Sequence, residues 1–183
     1  MIIRKFTLSI ELVPSTVWYA NLYNFYKNND QMEIWHELKQ YLFEREGHHC
    51  WICKKEVRNL EAHEFWEYDD YTHVQKLIAI HHLCDLCHKI KHIGLWCYTP
   101  DGQAKLKRQQ LTREDLVKHF CTVNNCTFEE FQNHEDSAFK EYSGRSKFRW
   151  KQDLGVYNPK HRLKILKSQK KLTWIKMDDN NAL

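Results

Sequence analysis

The sequence predicts a mixed α+β fold in which a small metal-bound module sits between an N-terminal strand–helix region and a C-terminal pair of helices. Three observations predict it. Two Cys-x-x-Cys knuckles, Cys50–Cys53 and Cys84–Cys87, are separated by thirty residues. Ahead of them, Ile34, Trp35, Leu38, Tyr41 and Leu42 repeat with a helical period. Beyond them, two threonines open acidic turns of the kind that start helices.

At 183 residues, 42% of them hydrophobic, the chain suits one domain with enough apolar surface for a core. Only 5 Gly and 3 Pro exclude collagen-like and low-complexity classes. No apolar run approaches the roughly 18–20 residues needed to span a bilayer. The N-terminus lacks the apolar core and cleavage site of a signal peptide. A soluble, intracellular protein is the expectation, with no membrane partner.

Residues 2–12 alternate loosely and are rich in β-branched and aromatic side chains, which predicts a strand that Pro14 stops. The following segment, with Trp18, Tyr19, Leu22, Tyr23, Phe25 and Tyr26, is expected to pack its aromatics on the domain. A helix then begins at Asp30 as N-cap, with Glu33 as capping-box partner, and stops at Gly47. Pro100-Asp101-Gly102 reads as a turn. Thr112 and Thr127 mark two further helices, with apolar faces from Leu116, Val117, Phe120 and Val123 and from Phe131, Ala138, Phe139 and Tyr142. The aromatics of the basic stretch from Arg145 to Lys151, Phe148 and Trp150, are expected in the core. These signals divide the chain into residues 1–47, a Cys/His module at 48–96, helices at 97–157, and a tail at 158–183.

The total charge of +4 conceals an asymmetry. Residues 158–183 hold Lys160, Arg162, Lys164, Lys167, Lys170, Lys171 and Lys176 against Asp178 and Asp179, so the tail is +5 and the rest of the chain −1. Such a segment can track phosphates through counterion release, or be a solvated face.

Cysteine and histidine usage is the strongest signal. There are seven Cys and 12 His, and eight of the His lie between His48 and His92. An odd cysteine count without a secretion signal argues against a disulfide framework. Two knuckles supply four thiolates with the bite of a tetrahedral ion, which predicts a closed structural zinc site at Cys50, Cys53, Cys84 and Cys87. Cys97, Cys121 and Cys126 lack partners at that spacing and are expected to be structural thiols. A closed four-Cys site has no need of the histidines around it. His88 and His92 stand at i and i+4, one helix face, suited to a single ion. His63 could supply a third group, and an imidazole near a bound divalent ion is well suited to take a proton from water.

Two strings resemble the HNH endonucleases: Ala62-His63-Glu64-Phe65-Trp66-Glu67-Tyr68-Asp69 and Cys87-His88-Lys89-Ile90-Lys91-His92-Ile93-Gly94, set between the knuckles in the order knuckle, strand with His, strand, knuckle with His on a helix. The resemblance covers about a quarter of the chain and points to a bacterial or phage branch. It implies a zinc-stapled ββα-metal module, a cytoplasmic location in a bacterial cell or phage-infected host, and phosphodiester cleavage of DNA. By it His63 matches the general base, while His88 and His92 match ligands of a catalytic divalent ion, Mg²⁺ or another, distinct from the zinc. Two positions depart from the pattern. Residue 62, often a ligand, is Ala62, and no Asn occurs between Asn59 and Asn124. Gln75 or His73 are candidates for the missing Asn's orienting role. Glu61, Glu64, Glu67, Asp69 and Asp70 are candidates for a carboxylate ligand, although strand alternation turns Glu64 away from His63. The departures keep a second expectation open: a catalytically degraded zinc module that binds nucleic acid or a protein partner.

Overall fold

A computed structural model describes residues 5–159. The basic residues Lys160, Arg162, Lys164, Lys167, Lys170 and Lys171, named above as nucleic-acid contacts, lie outside the described residues. The described part is mixed α+β, with one three-stranded sheet and seven α-helices. None of these helices is long and apolar enough to cross a membrane.

The expected N-terminal strand does not form among the described residues. Residues 5–14 run extended, but helices rather than a strand flank them. Several of their backbone groups are met by side chains. The Leu8 N–H donates to Asn124 Oδ1 (3.0 Å), the Asn124 amide returns a bond to the Leu8 carbonyl (2.9 Å), and the Ile10 N–H donates to His134 Nε2 (2.9 Å). An extended segment without a ladder partner satisfies the same backbone requirement this way.

A 3₁₀ turn (Ser15–Val17) leads into α1 (Leu22–Asn28), capped by the Asn21 side chain. Helix α2 (Met32–Glu46) follows. Its N-cap is Gln31, not the expected Asp30, which instead occupies a positive-φ position in the connection from α1. Gly47 does end the helix, at φ 66°, where a β-carbon would strain the backbone.

Strands β1 (Glu61–Asp69) and β2 (Val74–Leu83) form an antiparallel hairpin with a bulge at Phe65/Trp66. β1 thus runs six residues past His63. A short β3 (Lys151–Asp153) adds in parallel to β2. Leu77 and Ile80 on one face of the hairpin pack with Leu22, Tyr26, Leu38 and Leu42 of α1 and α2, so the helical face read from the sequence meets the sheet.

On the other face lie α3 (Asp85–Lys91) and α4 (Ile93–Tyr98). The sequence after them holds three helices rather than two: α5 (Pro100–Arg108), α6 (Arg113–Asn124) and α7 (Phe128–Arg145). Pro100-Asp101-Gly102 is no turn. It is the first turn of α5, with Thr99 as N-cap and Pro100 at a position where a missing N–H costs nothing. A β-carbon on Gly102 would sit 2.0 Å from the Leu95 carbonyl oxygen, so the glycine serves the close approach of α5 to α4. Thr112 and Thr127 both form full capping boxes, with Asp115 and Glu130. Phe120 and Phe131 meet edge to face (5.0 Å) and are fully buried, each burial stabilising the fold by roughly 1.5–3 kcal/mol. Trp150 is buried as expected, whereas Phe148 is half exposed and stacks on His73.

Candidate functional site

Two clusters of ligand-type side chains meet at α3, one completed by the turn ahead of β1 and the other by β1. In each, one donor atom per residue lies within 4.8 Å of every other: Cys50, Cys53, Cys84 and Cys87 in one, His63, His88 and His92 in the other.

The first knuckle is a tight turn in which the Lys54 N–H donates to the Cys50 carbonyl (2.9 Å) and Lys54 takes a positive φ. A Trp51 N–H bond to the His82 carbonyl (2.8 Å) fastens this turn to β2. The second knuckle spans the start of α3, with Cys84 as N-cap and Cys87 one turn in. Cys53 and Cys84 sulfurs are 3.6 Å apart. Such crowding separates the thiols' titration. Hydrogen bonds from Cys84 and Cys87 hold Cys50 far below the ordinary thiol range, while the shared bond to Cys50 pushes Cys84 up to about 12 and Cys87 higher still. Several thiolates so close together repel one another, and a cation at their centre relieves that repulsion. The four sulfurs can hold a metal ion. His119 of α6 lies 3.2 Å from Cys87 Sγ, a contact the sequence did not signal. Cys97, Cys121 and Cys126 form no disulfide, and the Cys121 thiol donates to the Thr127 carbonyl (3.5 Å).

In the histidine cluster, His63 points from the sheet face that α3 covers. His88 lies in α3, and His92 ends it one turn later, its N–H donating to the His88 carbonyl (3.3 Å). The ring centroids are 5.4 Å (His63–His88), 4.9 Å (His63–His92) and 5.0 Å (His88–His92) apart. Burial lowers all three pKa values. His63 falls below its usual range despite Glu11. His88 falls to about 4, helped by His63 and Lys89, and His92 lies well below its ordinary value, again chiefly through burial. Neutral imidazoles offer lone pairs, the state a metal ligand or a base requires.

No candidate carboxylate from the hairpin joins this cluster by the contacts it makes. Glu64 faces the opposite side, where its Oε1 accepts the Leu22 N–H at the start of α1 (2.7 Å), and burial raises its pKa to about 7. Asp69 accepts from Tyr71 and Thr72 in the hairpin turn. Asp70 pairs with Arg145 (2.8 and 2.9 Å). Gln75 donates to the Tyr68 hydroxyl (3.3 Å) and His73 stacks on Phe148, so neither bonds to His63.

The carboxylate at the cluster is Glu11, from the N-terminal strap. Its Oε2 is 3.5 Å from His63 Nε2, and its Oε1 receives the buried Lys91 ammonium. The backbone reinforces the placement, since the Glu11 N–H donates to the Lys91 carbonyl (3.0 Å). Burial opposes the charge on Glu11, yet the His63 bond and Lys91 together bring its pKa to about 2. Sequence reading missed this residue because no motif links positions 52 residues apart. Ala62, one residue before His63, packs against the α1/α2 side of the sheet.

Two cavities border the cluster, of about 220 Å³ along the edge of β1 and about 660 Å³ toward α4 and α7, with His88, His92 and Glu11 in the walls of both. Trp66 and Tyr68 line the smaller one, beside His63. No family model matches this chain, and neither does any curated protein or solved structure.

Proposed function

We propose that the protein is a metal-dependent endonuclease of the HNH type that cleaves phosphodiester bonds in DNA. The observation that supports this reading is the convergence of His63, His88 and His92 on a strand–strand–helix unit whose ends meet in a four-cysteine cluster. In this reading the cysteines hold a structural zinc, which leaves no open position for chemistry. His88 and His92 hold a second divalent ion. When bound, that ion stabilises the charge developing on the phosphate and on the leaving oxygen. Imidazole donors favour Mn²⁺, Ni²⁺ or Zn²⁺ over Mg²⁺, which prefers oxygen ligands.

His63 takes the proton of the attacking water. Glu11 orients it: a carboxylate accepting from Nε2–H leaves Nδ1 as the lone-pair nitrogen. Glu11 thereby fills the orienting role that the missing Asn would have played. The alanine at residue 62 packs on the α1/α2 side and also borders the smaller cavity with His88 and His92, and the carboxylate at the cluster comes from Glu11 instead.

The test combines cleavage and ion binding. Wild type with Mn²⁺ or Mg²⁺ is expected to nick plasmid or cut single-stranded DNA. His63→Ala is expected to lose about 10²–10⁴-fold in rate while keeping the second ion, as removal of a general base does. His88→Ala is expected to lose the second ion as well. Equal cleavage by wild type and His63→Ala, or none by a folded, metal-loaded wild type, overturns the assignment.

The alternative reading is a degraded module that binds nucleic acid or a protein partner. Within this alternative, the charge of residues 5–159, 20 Lys and Arg against 22 Asp and Glu, favours a protein partner over nucleic acid, because such a surface attracts phosphates weakly. Absence of any second ion-binding event beyond the zinc would select it.

A further inference from the structure

We propose that the larger cavity beside the histidine cluster receives an unpaired nucleobase of the DNA strand being cut, and that Trp18 is its stacking platform. This rests on the endonuclease reading and names the substrate form it acts on: single-stranded or locally unpaired DNA.

The cavity holds about 660 Å³, within the range of small-molecule sites. His88 and His92 form one wall, so whatever occupies it lies against the proposed catalytic ion. Five flat rings, Trp18, Tyr19, Tyr98, Phe139 and Tyr142, line much of the rest. Large apolar side chains usually turn inward, yet Trp18, Tyr19 and Tyr98 are 51%, 84% and 52% exposed. The Trp18 ring is held in place before any ligand arrives. Its indole N–H donates to the Val13 carbonyl (2.6 Å), and one side of it stacks on Tyr142 at 6.2 Å and 20°. Tyr98 is braced edge-on by Phe139 (5.0 Å, 72°). Asn21, whose Oδ1 caps α1, adds a side-chain NH2 that could meet a base's edge.

Charge supports the same occupant. Among the described residues lining either cavity there is no Lys or Arg, and residues 5–159 sum to −2. A groove that follows a duplex backbone is built from cations. Within these walls the ion would hold the scissile phosphate and stacking would supply further affinity, separately from what the basic residues 160–183 contribute through charge. Ring faces can serve only a base whose own face is uncovered, and a base within a duplex has both faces covered by its neighbours.

The experiment uses the zinc-loaded full chain carrying His63→Ala, so that DNA is bound and not cut. Binding of an eight-nucleotide oligo-dT is compared with that of the same oligomer lacking its bases and of a duplex octamer. The base-bearing single strand is expected to bind about tenfold or more tighter than the abasic one. Adding Trp18→Ala should remove that advantage and leave abasic binding unchanged, while Trp18→Phe, which keeps a flat ring, should restore most of it. Equal binding of oligo-dT and the abasic strand, an advantage that survives Trp18→Ala, or a duplex that binds as tightly through Trp18, overturns the proposal. Because binding is read without turnover, failure of base recognition is distinguishable from failure of the nuclease reading, which the cleavage assay of wild type decides separately.

Discussion

Glu46 ends α2 with its carboxylate 4% exposed and fully engaged by β2. Its Oε2 accepts the His82 N–H (2.9 Å), and its Oε1 meets His81 Nδ1 (2.7 Å) and the Arg45 guanidinium. Burial alone would raise its pKa, but those three bonds outweigh burial and bring it from 4.5 to about 2. A depression of about 2.5 units corresponds to roughly 3 kcal/mol of stability supplied by the ionised form. The folded-state value lies below the unfolded one, so this stability is present above the unfolded pKa and is lost as the pH falls through 4.5 toward 2. By linkage it is complete above about pH 5.5, and more than half of it is gone by about pH 3. Glu46→Gln keeps the shape and one acceptor but removes the charge. The variant is expected to be about 2–3 kcal/mol less stable than wild type at pH 7 in denaturant unfolding, with the gap narrowing down to the lowest pH at which both still fold. Loss of metal in acid acts on both proteins, so the difference between them isolates Glu46. Equal stability at pH 7, or a gap that widens as the pH falls, refutes the reasoning.

Replacing Cys53 by Ser removes one of four crowded sulfurs, and a strong chelator removes whatever metal they hold. Each is expected to lower the melting temperature sharply, and elemental analysis of wild type should find one zinc per chain beyond any ion at the histidines. An unchanged melt with no bound metal refutes the four-sulfur site. Glu11→Gln should slow cleavage by about tenfold or more while leaving the second ion bound, and the two-bond couplings of labelled His63 should show its ring moving from one tautomer toward a mixture. Since Lys91 then loses its ion-pair partner and keeps only its bond to Ser9 Oγ (3.1 Å), Glu11→Gln combined with Lys91→Met separates loss of orientation from loss of fold. A rate and tautomer unchanged in both proteins would assign Glu11 to structure alone.

Local signals read true where one element contains the whole cause. The α2 stripe, the stop at Gly47 and the two capping boxes depend on neighbours within one turn of helix, and each stands where the pattern put it. The misreadings share a different cause. Residues 2–12 have strand composition, but a strand is defined by a ladder partner, and the described part of this segment meets Asn124 and His134 instead. Pro100-Asp101-Gly102 has turn composition, but Thr99 supplies a cap and the Leu95 carbonyl demands a residue without a β-carbon, which makes the glycine part of a helix. The aromatics after Pro14 were expected in the core, and three-dimensional packing leaves Trp18 and Tyr19 on a cavity wall.

Taken alone, the sequence determined the two knuckles, the i, i+4 spacing of His88 and His92, and the two helices that begin at Thr112 and Thr127. These are matters of spacing along one chain, and helix and turn geometry converts spacing directly into position. Only the tertiary structure decided that His63 turns to the same side of the sheet as His88 and His92, and that Glu11 reaches His63 from 52 residues upstream. It also decided that the cavity next to them gathers five phenyl, phenol and indole rings and no Lys or Arg among the described residues. The physical reason is that a side chain's chemistry depends on which charges and surfaces surround it, and burial, partner and face are set by elements that meet only when the chain closes on itself.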